Sequence, residues 1–382
     1  MSRGTSPGRC RACRQPIDAE PLLVYRDMPV SAQAFPTADS VAADRGAELT
    51  VIQCPACGLV QLDGPPVPYH REVIRAAAFS TEMRVFRIGQ FAAWVGQHGL
   101  GGRKVLEVGC GRGEYLELLE QCGTEAHGLE YAPAAEADCR ARGLRVARGY
   151  VEGPDQRLAQ APFDAFVSLN FMEHWPDPVA SLLGISANLA DGGLGLVEVP
   201  NFDMIAERGL YSEFISDHLS YFTRQTFAAT LERGGFQVLD CASVWHDYIL
   251  SATVKKRQPV DLGLIQRRRE EMAGALAAFL DRFPRGRTAI WGAGHQALAV
   301  IALAGLANRI RYVVDSAPFK QGKFTPATHL PIVPPTALES DPVSALIVMA
   351  AAYSDEVAAL IRARHGPELA VAILRDHGLE MR

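Results

Sequence analysis

The feature that most constrains this chain is a strand–turn–helix–strand pattern around residue 110. The apolar strand KVLEV at 104–108 runs into the turn GCGRG at 109–113, and an amphipathic helix follows. A second short strand then ends on Glu130, about 20 residues after the first glycine. Glycine allows positive φ and close approach of a ligand, and a terminal acid can accept hydrogen bonds from ribose hydroxyls. The pattern predicts an α/β fold that binds a cofactor carrying a nucleoside.

Two classes of cofactor are compatible with this pattern. A dinucleotide dehydrogenase usually shows G-x-G-x-x-G, whereas the third glycine here falls one residue early. The stretch LEVGCGRGEYL resembles the first motif of class I S-adenosylmethionine methyltransferases, and FDAFVSLNFMEHWPDP resembles their fourth strand and the helix after it. This resemblance implies S-adenosylmethionine as the cofactor, with the following residues at its site: Glu107, Gly109, Gly111, Gly113, Glu130 and Asn170.

Two CxxC pairs precede this core and contain four of the eight cysteines. Each pair presents two thiolates on one turn, and two such turns complete a tetrahedral sulfur site for zinc. Four free thiols are the alternative, and a catalytic zinc is disfavoured because four thiolates leave no open position. We therefore expect a zinc-binding module over residues 1–68, with a structural zinc ion held by Cys10, Cys13, Cys54 and Cys57.

The chain divides further after the Pro-rich stretch DGPPVPYH, which reads as a linker. The helical spacing of AAAFSTEMRVFRIGQFAAWVGQHG predicts a lead-in helix for a methyltransferase domain over residues 69–258. A second strand–turn–helix–strand pattern ends at Asp315 and predicts a Rossmann-like α/β domain over 259–382. Whether that domain binds a nucleotide or only packs stays open, and Lys320 and Lys323 are either surface charges or diphosphate ligands.

Composition restricts the partners of the chain. Its net charge of −5 and the absence of a long basic run argue against nucleic acid. The basic start has no apolar segment behind it, and no apolar run is long enough to span a bilayer, so neither a secretory signal nor a membrane partner is expected. We expect a cytoplasmic monomer without a disulfide framework.

The order of the three segments resembles the sugar C-methyltransferase family, whose members act on nucleotide-linked keto-deoxysugars. The resemblance covers nearly the whole chain, and the motifs that carry it are CRAC, CPACGLVQL, NFMEHWPDP, DHLSYF and YVVDSAPFKQGKFTPATHLPIV. It implies that a base removes the proton next to a ketone and that the resulting carbon nucleophile attacks the sulfonium methyl in line. It assigns His218 as that base, Asp217 as the acid that tunes it, and His174 as a second catalytic histidine.

Two observations keep alternatives open. Taken alone, the stretch FISDHLSYF favours a core histidine beside a polar neighbour over a functional His218. Family members commonly carry Tyr-His-Glu-His where this chain has Ile215-Ser216-Asp217-His218, and Tyr69 or His70 is a candidate to replace the lost tyrosine. The alternatives are a methyltransferase acting on oxygen or nitrogen of another small-molecule acceptor, and a non-catalytic nucleotide-sugar-binding scaffold. The intact cofactor motif favours an enzyme.

Overall fold

A computed structural model of the chain describes residues 8–31, 33, 35–72 and 80–382. The expectations for the extreme N-terminus and for the first residues of the lead-in helix, 76–79, lie outside the described residues. The chain divides into two compact units, Met1–Gln258 and Pro259–Arg382. The boundary proposed at residue 68 therefore falls inside the first unit and stays a prediction. In the described part of the chain, no helix combines the length and apolar character that crossing a membrane requires.

The first unit contains strands β1 to β11 and helices α1 to α6. The strands are β1 Leu23–Met28, β2 Ala47–Gln53, β3 Val60–Leu62, β4 Lys104–Val108, β5 Glu125–Glu130, β6 Val146–Arg148, β7 Phe163–Leu169, β8 Leu189–Pro200, β9 Ser220–Tyr221, β10 Phe236–Val244 and β11 Ile249–Lys256. The helices are α1 Thr81–His98, α2 Glu114–Gln121, α3 Pro133–Ala141, α4 Pro178–Ala187, α5 Phe202–Glu207 and α6 Arg224–Arg233. Short 3₁₀ turns cover Val41–Ala43, Met172–His174 and Tyr211–Glu213.

The central sheet of this unit has the strand order β10-β11-β8-β7-β4-β5-β6. Strands β6, β5, β4, β7 and β8 pair in parallel, and β11 runs antiparallel to β8 and to β10. Alternate residues of β4 belong to two different buried clusters, so the sheet is covered on both faces, as is usual for parallel sheets. The α/β fold class with a Rossmann-like methyltransferase core is confirmed. In such sheets ligands bind outside the carboxyl ends of the parallel strands.

The lead-in helix α1 shows why the sequence folds locally as expected. Ser80 accepts a hydrogen bond from the backbone N–H of Met83 at the N-terminus, and Gly99 ends the helix in the left-handed region with φ 63°. Phe91, Trp94 and Val95 recur at helical spacing and are buried. The apolar face of α1 thus packs on the core beside the central sheet.

A smaller antiparallel sheet has the order β1-β2-β3-β9. Val60 of β3 lies opposite Tyr221 of β9, and Gln61 lies opposite Ser220. The backbone N–H of Leu62 also donates to the carbonyl of Leu219 at 3.1 Å. The sheet that carries the cysteine module therefore takes one of its strands from the segment directly after His218.

The second unit contains helices α7 Gly263–Leu280, α8 His295–Leu303, α9 Ala337–Ser340 and α10 Ser354–His365, with a 3₁₀ turn at Ala351–Tyr353. Its strands are β12 Thr288–Trp291, β13 Val313–Val314, β14 Ile332–Val333, β15 Ala345–Val348, β16 Ala370–Arg375 and β17 Gly378–Met381. They form a sheet of order β14-β13-β12-β15-β16-β17, parallel except for β17. This is the Rossmann-like α/β arrangement expected from the sequence.

Candidate active site

The glycine turn joins β4 to α2 at the carboxyl edge of the central sheet. Gly109, Gly111 and Gly113 all have positive φ, at 75°, 56° and 82°. A side chain at Gly109 would collide with Phe171, because an added Cβ would lie 2.5 Å from its ring. An added Cβ at Gly111 would meet nothing within 4 Å, so the backbone there faces open space. The turn thus provides the close approach to main chain that the sequence pattern predicted.

Glu130 ends β5 and lies against this turn. Its carboxylate accepts hydrogen bonds from the backbone N–H groups of Gly111 and Ala132, both at 2.8 Å. The side chain is buried, and the two bonds fix it at the edge of the turn. Glu130 therefore organises the glycine turn in addition to the ribose contact expected of it.

The other two expected cofactor residues lie on neighbouring strands. Glu107 is buried in β4, where it is opposite Gly128 of β5 and Val167 of β7. Asn170 follows β7 with φ 50°, and its side-chain oxygen is buried without a hydrogen-bond partner among the described residues. Such an orphaned acceptor is expensive unless a ligand supplies a donor. The open backbone at Gly111 and the amide of Asn170 therefore fit a polar cofactor.

A pocket beside Gly109 and Glu130 is bordered by aromatic rings and one guanidinium. Arg71 lies 5.5 Å from the ring centroid of Tyr131 and 5.6 Å from that of Tyr150. Arg71 also pairs with Glu152. Phe171 and both tyrosines line the pocket together with Glu130. The linker segment that carries Arg71 therefore forms part of the pocket wall.

Two loop segments bring the expected catalytic residues together. The backbone N–H of Leu219 donates to the carbonyl of Glu173 at 2.8 Å. The ring nitrogen Nδ1 of His174 lies 2.8 Å from the carbonyl oxygen of Asp217. A carbonyl can only accept, so Nδ1 of His174 carries the proton and Nε2 is left as an acceptor. The rings of His174 and His218 then lie 4.9 Å apart.

Burial keeps both imidazoles neutral. It lowers the pKa of His174 to about 4. Burial and the nearby His174 lower the pKa of His218 well below its ordinary value of 6.5. A neutral imidazole can accept a proton, although a lowered pKa also weakens it as a base. Asp217 is not a cause of that shift: its carboxylate is engaged by Tyr69 and its carbonyl by His174.

Glu173 is a member of this cluster that the sequence did not reveal. One carboxylate oxygen of Glu173 lies within 4.8 Å of a ring nitrogen of His174 and of His218. Burial raises the pKa of Glu173 to about 8, so the side chain is protonated at neutral pH. In sequence it was one acid in the stretch NFMEHWPDP, with no periodicity to indicate that it turns inward.

Tyr69 completes the cluster from the linker. Its hydroxyl donates a 2.5 Å hydrogen bond to Oδ1 of Asp217, and Ser216 Oγ lies 3.4 Å from the same oxygen. His70 points elsewhere, since its Nδ1 lies 3.0 Å from the carbonyl of Val67. Of the two candidates for the missing tyrosine, the structure brings Tyr69 to the acid.

The cysteine pairs converge as expected for a metal centre. Sγ of Cys10 lies 3.5 Å from that of Cys57, Sγ of Cys13 lies 3.5 Å from that of Cys54, and all four sulfurs lie within 4.8 Å of one another. Zinc–sulfur bonds of about 2.3 Å require tetrahedral sulfur separations of about 3.8 Å. Four thiolates at this spacing therefore suit a closed structural zinc site.

Arg11, between the first two cysteines, links this module to the catalytic loop. Its guanidinium donates to the carbonyl of Gly64 at 2.7 Å and to that of Pro176 at 3.2 Å. Pro176 follows His174 by two residues. The module thus contacts the loop that carries His174.

Glu198 forms a buried ion pair that joins β8 to α1. It is fully buried in β8 and pairs with Arg87 of α1, which is 1% exposed. Gln90 donates to the same carboxylate at 2.5 Å. Removing one partner of such a pair leaves an uncompensated buried charge, so the pair fixes α1 on the sheet.

In the second unit, Asp315 is already engaged by its own domain. Its carboxylate accepts from the backbone N–H groups of Ala293 at 2.8 Å and Ala317 at 2.9 Å, and from Lys320 Nζ at 2.8 Å. Lys320 thus forms an ion pair with Asp315, whereas Lys323 is exposed. Glu130 accepts the same two kinds of backbone hydrogen bond at the first glycine turn, so both roles of this domain stay open.

Comparison with known protein families agrees with this architecture. The family described as "Methyltransferase domain" matches residues 79–240. The family described as "C-methyltransferase C-terminal domain" matches residues 264–372. The two matches lie in the first and second units, respectively.

Individual relatives of the chain are also methyltransferases. The C-methyltransferase NovU of Streptomyces niveus is 24% identical over 383 residues, which cover 91% of this chain and 90% of the relative. A probable S-adenosylmethionine-dependent methyltransferase of Mycolicibacterium smegmatis is 33% identical over 154 residues, 39% of this chain and 58% of the relative. The crystal structure of PH0226 protein from Pyrococcus horikoshii OT3 aligns with a TM-score of 0.40 and 13% identity, covering 50% of this chain and 98% of that one.

Proposed function

Because this chain is an S-adenosylmethionine-dependent methyltransferase of the C-methyltransferase family, we propose that it methylates a carbon next to the ketone of a nucleotide-linked deoxysugar. The observation that carries the proposal is the convergence of Tyr69, Asp217, His174 and His218. Phe171 links this cluster to the glycine turn, because its ring lies 6.2 Å from that of His174 and packs against Gly109. A carbon acid needs a base and a group that stabilises the enolate oxygen. This cluster offers neutral imidazoles and a phenol for those two tasks.

His218 is the proposed base. It accepts the proton from the acceptor carbon, and the electron pair of that C–H bond becomes the enolate. His174 positions the site, because its Nδ1 is fixed by the carbonyl of Asp217 and its ring lies against His218. Tyr69 is the proposed donor to the enolate oxygen. Its single hydroxyl proton goes to Asp217 in the structure, so the hydroxyl must turn from that carboxylate to the enolate oxygen when the acceptor binds.

S-adenosylmethionine, held by the glycine turn, Glu130 and Asn170, would supply the methyl group as an electrophile. The chain's own contribution is alignment of the acceptor carbon with that methyl group, since direct transfer needs no covalent intermediate on the protein. The rings of Tyr131, Tyr150 and Phe171 line the pocket. Structural zinc at the four cysteines belongs to the same proposal, as does a cytoplasmic monomer.

Transfer to oxygen or nitrogen is the second candidate. Ile215 favours it, because an alkyl group stands where the sugar C-methyltransferase family commonly has a tyrosine. An oxygen or nitrogen acceptor needs a base but no enolate.

The test begins with a thermal-shift screen of nucleotide-linked ketosugars, with and without S-adenosylhomocysteine. The best ligand is then incubated in D₂O with the protein and S-adenosylhomocysteine. Carbon methylation predicts that deuterium enters the sugar at one position. Methyl transfer without any such exchange would contradict the enolate step and support oxygen or nitrogen as the acceptor.

A further inference from the structure

A second cavity lies next to the catalytic acid, away from the glycine turn. It encloses about 870 Å³. One wall is the end of β1 with the loop behind it, including Met28, Pro29 and Val30, and the facing wall is the 211–216 segment with Tyr211 and Ile215. Sites for small molecules usually have volumes of about 300–1,000 Å³. The cavity is therefore large enough for a substantial part of a small substrate.

Ser216 connects this cavity to the catalytic cluster. Its Oγ donates to the carbonyl of Pro29 at 3.3 Å and lies 3.4 Å from Oδ1 of Asp217. Ser216 and Ile215 are wall residues, so one end of the cavity abuts the acid that Tyr69 contacts. The side chain of Ser216 therefore stands between the cavity and the carboxylate of Asp217.

The wall of this cavity is largely apolar, and several of its apolar side chains are exposed to solvent. Phe35 is 83% exposed, Tyr211 is 77% exposed and Val30 is 50% exposed. Exposed large apolar groups gathered around one cavity mark a binding surface more often than a packing error. Ile215 extends the same character to the catalytic end, where a tyrosine would have offered a hydroxyl.

The charges of the wall argue against a phosphate ligand. Asp27 and Asp44 bring two carboxylates, whereas Arg45 brings one guanidinium. That guanidinium already donates to the carbonyls of Ala42 at 2.9 Å and Asp44 at 2.6 Å. A diphosphate would meet a net negative wall whose single cation is engaged by its own loop.

We propose that this cavity binds a neutral, apolar group of the methyl acceptor, adjacent to the atom that is methylated. The inference rests on the function proposed above, because it places the reacting atom at Asp217 and His218. It adds the chemical class of the group beside that atom: an alkyl or aromatic substituent, with any diphosphate held elsewhere.

The test uses the neutral fluorescent probe N-phenyl-1-naphthylamine with the full chain. We expect saturable binding that Met28→Asp and Ile215→Asp each weaken about tenfold or more, because a carboxylate placed against an apolar ligand is desolvated without a partner. Met28→Leu conserves the volume and polarity of the wall and should bind as the parent does. Leu239→Asp, at an exposed position of β10 outside the cavity, is the matched control for charge. Affinity for S-adenosylhomocysteine reports that each variant is folded.

Three results would overturn the inference. One is equal binding of the probe to parent, Met28→Asp and Ile215→Asp. Another is competitive displacement of the probe by inorganic pyrophosphate, which would make the cavity a phosphate site. The third is a dimer in sedimentation that must dissociate before the probe binds, which would mean that a second copy covers the wall. Because probe binding requires no turnover, these outcomes are independent of the deuterium exchange that tests the proposed function.

Discussion

The hydroxyl of Tyr69 donates a 2.5 Å hydrogen bond to Oδ1 of Asp217, a residue 148 positions further along the chain. The bond joins the linker after the cysteine module to the loop that carries His218. A phenol has a single proton, so Tyr69 can donate to a developing oxyanion only after it releases Asp217, which holds the hydroxyl near the site until then.

Tyr69→Phe should keep affinity for S-adenosylhomocysteine and lower turnover by about 10- to 100-fold, because a hydrogen bond to a charged group is lost. Methyl transfer to the acceptor found in the ligand screen measures the effect on kcat and KM separately. Tyr353→Phe, at an exposed position of the second unit, is the control. An unaltered kcat in Tyr69→Phe would show that the phenol takes no part in the reaction.

His218→Gln should retain cofactor binding and lose about 10²- to 10⁴-fold in turnover, the usual effect of removing a general base. Deuterium exchange into the acceptor should stop as well. Since burial lowers the pKa of His218, the acid limb of the parent's kcat/KM profile should fall well below pH 6.5. Exchange that continues in His218→Gln would move the base elsewhere, with His174 as the next candidate. His246→Gln, at an exposed histidine, should behave as the parent does.

Glu130→Ala should weaken binding of S-adenosylhomocysteine, and calorimetry measures the loss. Each charge-assisted hydrogen bond contributes roughly 1.5–3 kcal/mol. The variant also loses the carboxylate that holds Gly111, so the glycine turn should become less ordered. Glu207→Ala, at an exposed acid of α5, should leave affinity unchanged. Parent-like affinity in Glu130→Ala would contradict the cofactor placement.

Freshly purified protein should contain about one zinc ion per chain, measured by elemental analysis. Cys54→Ser should lower that content and the Tm together, because the sulfurs hold the module whose Arg11 contacts the catalytic loop. Cys241→Ser, far from the cluster in sequence, should retain the metal. Zinc-free parent protein with four reactive thiols would refute the site.

Glu173→Gln should change how stability depends on pH. Burial raises the pKa of Glu173 from 4.5 to about 8 in the folded protein. Between those values the folded state keeps a proton that the unfolded chain has released, so this group lowers stability as pH rises through that window. The free energy of unfolding of the glutamine variant should therefore rise relative to that of the parent by up to about 5 kcal/mol at high pH. Denaturant unfolding from pH 5 to 9 measures the difference, and a pH-independent difference would contradict the burial of an ionisable acid there.

The elements that the sequence predicted well are those with a short-range signature. The glycine turn, the acid that ends β5 and the CxxC pairs each lie within a few residues or follow a fixed spacing. The contact between Tyr69 and Asp217 has no such signature, because it depends on how the linker crosses the sheet edge. The burial of Glu173 was equally hidden, since a carboxylate in a polar stretch usually faces solvent. The ion pair of Glu198 with Arg87 is a further contact of this kind, because it joins β8 to α1 across 111 positions of the chain.

The pairing of β3 with β9 has a consequence for recombination between relatives. A crossover placed in the linker would transfer the cysteine module without Ser220 and Tyr221 of β9. Strand β3 would then pair with a β9 strand from a different relative. A mismatched edge would misplace the neighbouring His218 before any catalytic residue had been altered. The heritable unit is therefore discontinuous: residues 8–62 and the 214–222 segment should be inherited, exchanged or redesigned together.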